Sequence, residues 1–370
     1  AHWDSESAVA GDDGSKMFIE AVDDDVAANY ASSYKTTILG RLETWKNVPA
    51  VWEGASMVYE TLNSHTATAI NDVLEAVETA CDAFVAAVDG SNVTFTTKAS
   101  DERSGKALSI GTTNAGYCYG ISPNHELNEL IQLKANSDLT FKLYNETTGK
   151  YAGVPNGSAT AADETSATTA VTDAGLAGNY SLQISGSTTS AEENVVALFT
   201  KSSNMLHMCK HSSFKLANYV DFNDAASRWT VSLVTDNTPY ALRTAITEAT
   251  AWKDALNTLC TNNSGKLVET NSYVASMTSA IATAQQALDV AEGTAETREA
   301  ATAALQTTLG QAQQNMLSGF NLGQRYRLKH NSSSCYMQAN CVKVGGEGNV
   351  IINTLDENNV DQLFTLIPAT

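Results

Sequence analysis

Two clusters of aromatic and polar side chains have the residue types that bind sugars. The ligand-binding candidates are Tyr219, Asp221, Asn223 and Asp224 in one cluster and Tyr117, Tyr119 and Asn124 in the other. Carboxylate and amide groups can hydrogen-bond the hydroxyls of a hexose beside an aromatic ring. A competing interpretation makes the first cluster a polar turn before a strand and the tyrosines of the second ordinary packing residues. We favour the competing interpretation and keep these residues as binding candidates.

His207, Cys209 and His211 are spaced two apart, so on a strand all three would share one face. Their side chains are of the types that bind transition metals. The same segment also fits a hairpin that two of these residues flank, which is the interpretation we favour. We therefore predict no bound metal and no cofactor.

The sequence has six cysteines and no CxxC pair of the zinc or thioredoxin type. Two pairs are candidates for disulfides. Cys335 and Cys341 enclose a short loop, while Cys118 and Cys209 fall in the first and third segments of one predicted β domain. Either bond would cross-link a β segment.

No catalytic motif accompanies these residues. The sequence lacks G-x-S-x-G, H-E-x-x-H, P-loop and G-x-G-x-x-G patterns, and no Ser, His and carboxylate set has a context that would activate it. We therefore predict that the chain is not an enzyme and has no catalytic residues.

The charge balance limits the partners. The chain has 22 basic and 41 acidic residues, a formal net charge of -19, and no Lys and Arg cluster that would bind phosphates. No apolar run approaches the roughly 20 residues that cross a bilayer. These features argue against nucleic acid as a partner and against membrane insertion. The N-x-S/T sequons show only that the surface is rich in Asn, Ser and Thr, and this composition, together with few lysines, favours an extracellular or cell-surface location.

Two segments have the apolar spacing of amphipathic helices. Between 24 and 90, one stripe runs from Val26 through Ile38 to Trp45, and Pro49 suits the first position of a second helix. A similar pattern returns between 237 and 318, with apolar residues at alternating three- and four-residue spacing. Short connections favour packing of neighbouring helices, so each segment is predicted to form an antiparallel three-helix bundle.

The segment between 91 and 236 has the pattern of short strands. Alternating strings such as residues 140–144 and 229–233 are bounded by Gly, Asn, Ser and Asp. Three stretches, 95–134, 139–184 and 195–234, each begin and end with such a string. Threefold repetition of four short strands is the pattern of a β-trefoil, an all-β fold, which we predict here.

Short motifs near the C-terminus resemble one lobe of a ricin-type lectin. Gln-Leu-Phe at 362–364 stands where that family has Q-x-W, and residues 326–329, 341–344 and 348–351 resemble other parts of the lobe. Ser-Arg-Trp at 227–229 is a degenerate form of Q-x-W. The resemblance covers about half of the chain. It implies that the following residues are structural core residues: Phe18, Trp229, Phe364 and Gln362.

The positions that hold sugar in that family are changed in this lobe. The resemblance implies an Asp, an aromatic residue and an Asn, but Lys343, Thr354 and Asp361 stand at these places. The usual sugar site is therefore expected to be absent from the lobe, and resemblance in fold gives no sugar specificity.

Repeated motifs indicate modules that alternate along the chain. The strand at Phe18 matches the strand at Trp229, and the helical motif at Trp45 matches the one at Trp252. The predicted domains are the C-terminal end of a β-trefoil at 1–23, a three-helix bundle at 24–90, a complete β-trefoil at 91–236, a three-helix bundle at 237–318 and the first lobe of another β-trefoil at 319–370. Because both ends fall inside predicted β domains, we expect a chain cut from a longer repetitive protein.

These observations favour a non-enzymatic segment of a secreted, repetitive cell-surface protein. Its lectin-like modules and helical spacers would form a structural or adhesive array, with copies of the chain as end-to-end partners. The alternative is a carbohydrate-binding accessory region of a large multimodular secreted glycoside hydrolase, with glycans as partners. Binding of glycans by the β-trefoil would favour the alternative.

Overall fold

The computed structural model of the chain describes residues 23–111, 116–155, 168–184, 192–200, 205–210, 214–219, 224–262, 268–290, 293–317, 325–330, 335–340, 349–359 and 362–365. The chain divides into two compact units, 1–235 and 236–370, and each is described by itself. The described parts contain α-helices and antiparallel strands, so the predicted mixture of helical and β structure is confirmed. No helix within these ranges is both long and apolar enough to cross a lipid bilayer.

The first unit begins with three helices, α1 (Asp24–Trp45), α2 (Ala55–Asn63) and α3 (Ile70–Val88), and each contacts the other two. In α3 the buried residues recur at three- and four-residue spacing, as expected of a helix with one apolar face. In α1 the buried residues are confined to positions from Ala31 onward.

The connection between α1 and α2 differs from the prediction. Because α2 begins at Ala55, the expectation that Pro49 opens the second helix is wrong. The intervening residues form turns, and they bury Val48 and Trp52 in the core. Val48 and Trp52 are buried by residues distant in the chain. The apolar residues between α1 and α2 therefore do not follow the spacing of a helix, and their burial could not be predicted from the sequence.

Twelve strands lie in the described part of the first unit. They are β1 (Asn92–Thr97), β2 (Ala107–Ile110), β3 (Cys118–Ile121), β4 (Ile131–Ala135), β5 (Phe141–Asn145), β6 (Lys150–Ala152), β7 (Ala170–Val171), β8 (Ser181–Gln183), β9 (Val195–Phe199), β10 (Met205–Met208), β11 (Leu216–Tyr219) and β12 (Trp229–Leu233). In the longer ring strands β1 and β5, buried and half-buried residues alternate, so one face of each points to a core.

Six of these strands close a ring by antiparallel pairing. β1 pairs with β4 and β12, β4 pairs with β5, and β9 pairs with β8 and β12. Phe141 in β5 and Tyr180 just before β8 exchange two backbone hydrogen bonds of 2.9 and 2.7 Å, which complete the ring. A closed ring leaves no unpaired edge among these six strands.

The other six strands form three hairpins, β2–β3, β6–β7 and β10–β11. Each hairpin is flanked in the chain by two ring strands, so the order of strands repeats three times in lobes of four. We call β1–β4 lobe 1, β5–β8 lobe 2 and β9–β12 lobe 3. A six-stranded ring with three hairpins is the strand layout of a β-trefoil.

One hydrophobic core extends through the helices and the ring of strands. Trp45 and Phe84 from the helices and Phe95, Phe141 and Trp229 from the strands belong to the same cluster of buried side chains. Each of the five is at most 2% exposed. Because burial of apolar surface is the dominant favourable contribution to folding, we expect the helices and the ring to depend on each other for stability.

The second unit contains three further helices, α4 (Thr238–Asn262), α5 (Val268–Asp289) and α6 (Ala295–Leu317), and each packs against the other two. Their shared core includes Leu242, Met277 and Leu305, all at most 2% exposed. The start of α4 is held by Asp236, whose Oδ1 accepts hydrogen bonds from the Thr238 N–H at 2.8 Å and from the Thr238 hydroxyl at 2.7 Å.

Four short strands follow α6: β13 (Arg325–Tyr326), β14 (Cys335–Asn340), β15 (Asn349–Thr354) and β16 (Phe364–Thr365). β13 pairs with β16, and β14 pairs with β15. In lobe 1 the outer strands β1 and β4 also pair, as do the inner strands β2 and β3. The two segments therefore share the pairing pattern of one lobe.

Candidate functional site

The candidate cluster in lobe 3 is described in part. Tyr219 ends β11, and the centre of its ring lies 4.6 Å from the centre of the His207 imidazole. Asp224 caps the short 3-10 turn Ala225–Ser227, because its Oδ1 accepts a 2.8 Å hydrogen bond from the Ala226 N–H. Asp221 and Asn223 lie outside the described residues. One carboxylate of the cluster is thus engaged in a turn.

The candidate residues of lobe 1 lie around β3. The ammonium group of Lys215 is 4.7 Å from the centre of the Tyr117 ring, so a cation–π contact covers one face of that ring. Asn124 lies in the turn after β3, where its Nδ2 donates to Glu126 Oε1 at 2.8 Å and its Oδ1 accepts from the Glu126 N–H at 3.1 Å. The amide of Asn124 therefore serves the turn itself.

The structure places the two clusters on neighbouring hairpins. Tyr119 in β3 forms an isolated bridge with Lys215, and the Gly120 N–H donates a 2.7 Å hydrogen bond to the Phe214 carbonyl. The β2–β3 hairpin of lobe 1 therefore lies beside the β10–β11 hairpin of lobe 3. On this surface, the polar groups of Asp224 and Asn124 and one face of Tyr117 already have partners within the chain.

His207 belongs to β10, and its imidazole is buried between lobes 1 and 3. Its Nδ1 lies 2.9 Å from the Ser227 hydroxyl, and its Nε2 lies 3.4 Å from Arg103 Nη1. Arg103 is held by Asp101, with N–O distances of 2.7 to 3.2 Å. These hydrogen bonds lower the pKa of the Asp101 carboxyl far below its ordinary value.

The structure describes two of the three residues His207, Cys209 and His211. His207 lies within β10, the first strand of the β10–β11 hairpin, and its ring contacts Tyr219 of lobe 3 and Arg103 of lobe 1. Cys209 follows β10 directly, and His211 lies outside the described residues. The described residues contain no group of three His, Cys, Asp or Glu side chains placed to hold a metal ion.

Ser227 and His207 form a contact that resembles part of a hydrolytic dyad, but its surroundings do not suit catalysis. Ser227 is fully buried, so a substrate cannot reach its hydroxyl. A general base must become an imidazolium, and a carboxylate usually stabilises that charge. Here the guanidinium of Arg103 faces the second ring nitrogen instead. The Ser227–His207 contact therefore lies within lobe 3 and does not activate a nucleophile.

The aromatic core predicted from the Q-x-W resemblance is present in part. Trp229 is fully buried, and its indole N–H donates a 3.0 Å hydrogen bond to the Leu206 carbonyl. Gln362 is also buried, with Oε1 accepting from the Asp356 N–H at 3.0 Å and Nε2 donating to the Thr354 carbonyl at 2.8 Å. Phe364 lies in β16 opposite Tyr326, and Phe18 lies outside the described residues.

Sequence reasoning missed the core residues of lobes 1 and 2 that correspond to Trp229. Ile131 begins β4 and Tyr180 precedes β8, and both are fully buried. The Tyr180 hydroxyl donates a 2.5 Å hydrogen bond to the Gly153 carbonyl. Ile131, Tyr180 and Trp229 stand 49 residues apart in each case. Equal spacing is the signal that could have identified them, although their residue types differ.

The proposed disulfide between Cys118 and Cys209 is not formed. Cys118 is a buried free thiol in β3, and its Sγ faces the Thr169 carbonyl of lobe 2 at 3.9 Å. The side chain therefore points into the core of the β-trefoil. Burial raises the pKa of this thiol to about 12. For the other candidate pair, Cys335 begins β14, whereas Cys341 lies outside the described residues.

At the junction between α1 and the ring of strands, aromatic side chains from helices and strands pack together. The Trp45 ring lies 5.1 Å from Phe84 of α3, 5.7 Å from Phe141 of β5 and 6.3 Å from Trp52, measured between ring centres. The Trp45 indole N–H points to the Leu139 carbonyl at 3.4 Å. One aromatic side chain thus connects the helices to lobe 2.

Polar contacts surround this aromatic junction. Arg41 of α1 forms a 2.9 Å ion pair with Asp138, next to the start of β5. Asn47 donates from Nδ2 to the Glu192 carbonyl at 2.9 Å, and its own carbonyl accepts the Asn194 N–H at 2.8 Å. The contacts reach both lobe 2 and the segment that precedes lobe 3.

The connection from α3 to β1 is also bound to the ring. The Gly90 N–H donates to the Leu133 carbonyl at 2.8 Å, and the Leu133 N–H donates to the Ser91 carbonyl at 2.9 Å. Asp89 Oδ1 accepts the Ala135 N–H at 2.9 Å. The three linking residues are therefore fixed to β4, which leaves no free linker between α3 and the strands.

No protein-family model and no curated protein sequence matches this chain. Solved structures that it is similar to include a ricin B-like lectin from Macrolepiota procera in complex with lactose, with 13% identity, a TM-score of 0.32, and coverage of 39% of this chain and 96% of that one. A designed threefold-symmetric protein, ThreeFoil, has 18% identity, a TM-score of 0.30, and coverage of 38% and 97%. An exo-β-1,3-galactanase from Clostridium thermocellum has 16% identity, a TM-score of 0.30, and coverage of 40% and 31%.

Proposed function

We propose that the chain is a non-enzymatic structural segment of a secreted, repetitive cell-surface protein. In this proposal β-trefoil modules alternate with antiparallel three-helix bundles, and the helices hold successive modules at a fixed spacing. Copies of the protein are its proposed end-to-end partners. The observation that carries the proposal is the junction at Trp45, where helices and β-trefoil share one core.

Helices can hold neighbouring β-trefoil modules at a fixed distance only if the junction between helices and strands is rigid. The Trp45 ring and the Arg41–Asp138 ion pair attach α1 to the segment 138–141, and the bonded linker at 89–91 attaches the end of α3 to β4. Attachment at two separate places resists rotation better than attachment at one. This geometry supports a mechanical role for the first unit.

The contacts that the candidate sugar-binding residues already make within the chain support the same proposal. A sugar-binding surface needs polar groups that are free to meet hydroxyls, since unpaired polar groups carry specificity. Within the described residues, Asp224 caps a turn, Asn124 closes a turn, and Tyr117 is covered by Lys215. These contacts already use part of the hydrogen-bonding capacity of Asp224 and Asn124 and one face of the Tyr117 ring, which leaves less for a sugar.

A glycan array probed with the labelled full chain tests the proposal against its alternative, the carbohydrate-binding accessory region of a glycoside hydrolase. We expect no glycan to retain the wild-type chain above the signal of a Tyr219→Ala, Tyr117→Ala double variant. Specific retention of one glycan class, lost in that variant, would replace the proposal with the alternative. Folding of the variant is checked by circular dichroism.

A second measurement addresses the spacer role itself. Small-angle scattering of the wild-type chain and of an Arg41→Ala, Asn47→Ala variant compares the dimensions of the two proteins. We expect the variant to show a broader distribution of distances, because the contacts that orient the helices are reduced. Identical distributions would contradict a role for this junction in fixing the spacing.

A further inference from the structure

An apolar groove of about 490 Å³ lies between α2 and α3. Its floor is formed by Ala76, Ala80 and Ala83 of α3, and its sides include Leu62 and Met57 of α2. The Met57 side chain is 72% exposed, although it is apolar. Small residues at four- and three-residue spacing leave one face of α3 open to close approach by another backbone.

Two threonine hydroxyls in the lining of this groove do not oppose an apolar partner, whereas His65, which also lines it, has a buried Nε2 without a hydrogen-bond partner among the described residues. Thr61 donates its hydroxyl to the Met57 carbonyl at 2.8 Å, and Thr79 donates to the Glu75 carbonyl at 2.9 Å. Both hydroxyls are thus satisfied within their own helices. An apolar side chain that enters the groove leaves neither hydroxyl without its bond.

The charges that line the groove have one sign. Asp72 and Glu75 both belong to its lining, and no Lys or Arg is among the described residues that line it. An acidic border favours a partner with positive charges beside its apolar surface, because complementary charge speeds association and selects partners.

We propose that the α2–α3 groove binds an amphipathic helix of a partner protein, with Leu-type side chains on one face and Lys or Arg beside them. Helices of this kind place residues at i, i+3, i+4 and i+7 into grooves between two helices. The exposed, unbranched Met57 adapts to different apolar side chains. Asp72 and Glu75 select the basic flanks.

The test uses the full chain and a synthetic 18-residue amphipathic peptide of Leu and Lys, labelled with fluorescein and followed by anisotropy. A scrambled peptide of the same composition and an amphipathic Leu/Glu peptide are the comparison probes. We expect saturable binding of the Leu/Lys helix that is at least tenfold tighter than binding of either comparison probe. Equal binding of the scrambled peptide would reveal general attraction to an acidic protein and overturn the proposal.

Two variants locate the binding. Met57→Glu and Glu75→Lys change exposed groove residues, and each is expected to weaken binding of the Leu/Lys helix at least fivefold. Glu78→Lys makes the same charge change on α3 outside the groove lining and should alter binding less than twofold. Equal effects of Glu75→Lys and Glu78→Lys would contradict the groove as the site.

A neutral apolar dye, Nile red, distinguishes a peptide site from a site for small apolar molecules. The proposal is supported if Nile red binds the wild-type chain, if the Leu/Lys helix displaces it, and if the Met57→Glu variant no longer binds it. Saturable dye binding without any binding of the peptide would assign the groove to a small apolar ligand and overturn it. Circular dichroism of each variant establishes that α2 and α3 remain folded.

Discussion

The Trp45 indole at the end of α1 packs against the Phe141 ring at the start of β5, with ring centres 5.7 Å apart and ring planes at 67°. The two residues are far apart in the chain, and they belong to different kinds of secondary structure. An edge-to-face contact of this kind adds about 0.5–1.5 kcal/mol to the burial of the rings themselves. It couples the stability of the helices to that of the β-trefoil.

Replacing Trp45 with Ala is expected to destabilise both the helices and the strands. Removal of a buried aromatic side chain costs about 3–5 kcal/mol, because a cavity remains. The free energy of unfolding in urea should fall by this amount, and hydrogen exchange should accelerate together in α3 and β5. Met57→Ala, at a side chain that is 72% exposed, is the control and should change the free energy by less than about 0.5 kcal/mol. Acceleration in α3 alone would disprove the coupling.

Asn194 should show the cost of its backbone conformation when it is changed to Ala. Its φ angle is 59°, and its Oδ1 accepts a 3.1 Å hydrogen bond from the Ala50 N–H. Asn194→Gly removes the side-chain bond, worth about 1 kcal/mol. Asn194→Ala removes the same bond and adds about 1–2 kcal/mol of left-handed strain. In urea unfolding, wild type should therefore be the most stable, Asn194→Gly the next and Asn194→Ala the least stable. Equal stability of the Gly and Ala variants would show that the left-handed backbone adds no strain.

Cys118 should resist alkylation as long as the β-trefoil is folded. Its thiol is buried and its pKa is raised to about 12 by burial, so almost no thiolate exists at pH 8. Peptide mapping after iodoacetamide treatment should find Cys118 unmodified in buffer and modified in urea. A Cys118–Cys209 linked peptide under non-reducing conditions would contradict the structure.

Sequence periodicity predicted the helices and strands that bury one face, because their apolar residues recur at regular spacing. The stripe through Ile38, Leu42 and Trp45 lies on α1, and the alternating string that begins at Trp229 is β12. A helix or strand with one buried face must repeat its apolar residues at the period of its backbone. Such elements can be read from the chain without knowledge of their neighbours.

The contacts between elements could not be predicted in this way. Nothing near Trp45 indicates that Phe141 will cover it, and the bonds between Phe141 and Tyr180 depend on closure of the whole ring. The candidate site was likewise incomplete in sequence, because the contact of Lys215 with Tyr117 joins two lobes. Residue types alone left two interpretations open, a sugar site and a polar turn with packing tyrosines, of which the second was favoured. Only the fold reveals the partners that these residues already have.

The final prediction concerns the pH dependence of the second unit. Asp236 accepts hydrogen bonds from the Thr238 hydroxyl and N–H and from Arg298 Nη2, the last at 2.6 Å. These bonds and the nearby guanidinium lower the pKa of Asp236 to about 2. An aspartate in an unfolded chain titrates near about 3.9. The folded state therefore holds the proton less tightly than the unfolded state.

Because the folded pKa is the lower one, the stabilisation is fully present above pH of about 4 and is lost as pH falls towards 2. Asp236→Asn should lower the stability of α4 at pH 7 and make a much smaller difference at pH 2, because the folded carboxyl is then about half protonated and the stabilisation is mostly lost. Exchange of amides in the first turn of α4, followed by NMR across this range, measures the difference. Asp254→Asn, an exposed change within the same helix, is the matched control. The stability difference between wild type and Asp254→Asn should not shrink comparably between pH 7 and pH 2. A difference between wild type and Asp236→Asn that stays constant from pH 7 to pH 2 would mean that Asp236 acts without its charge.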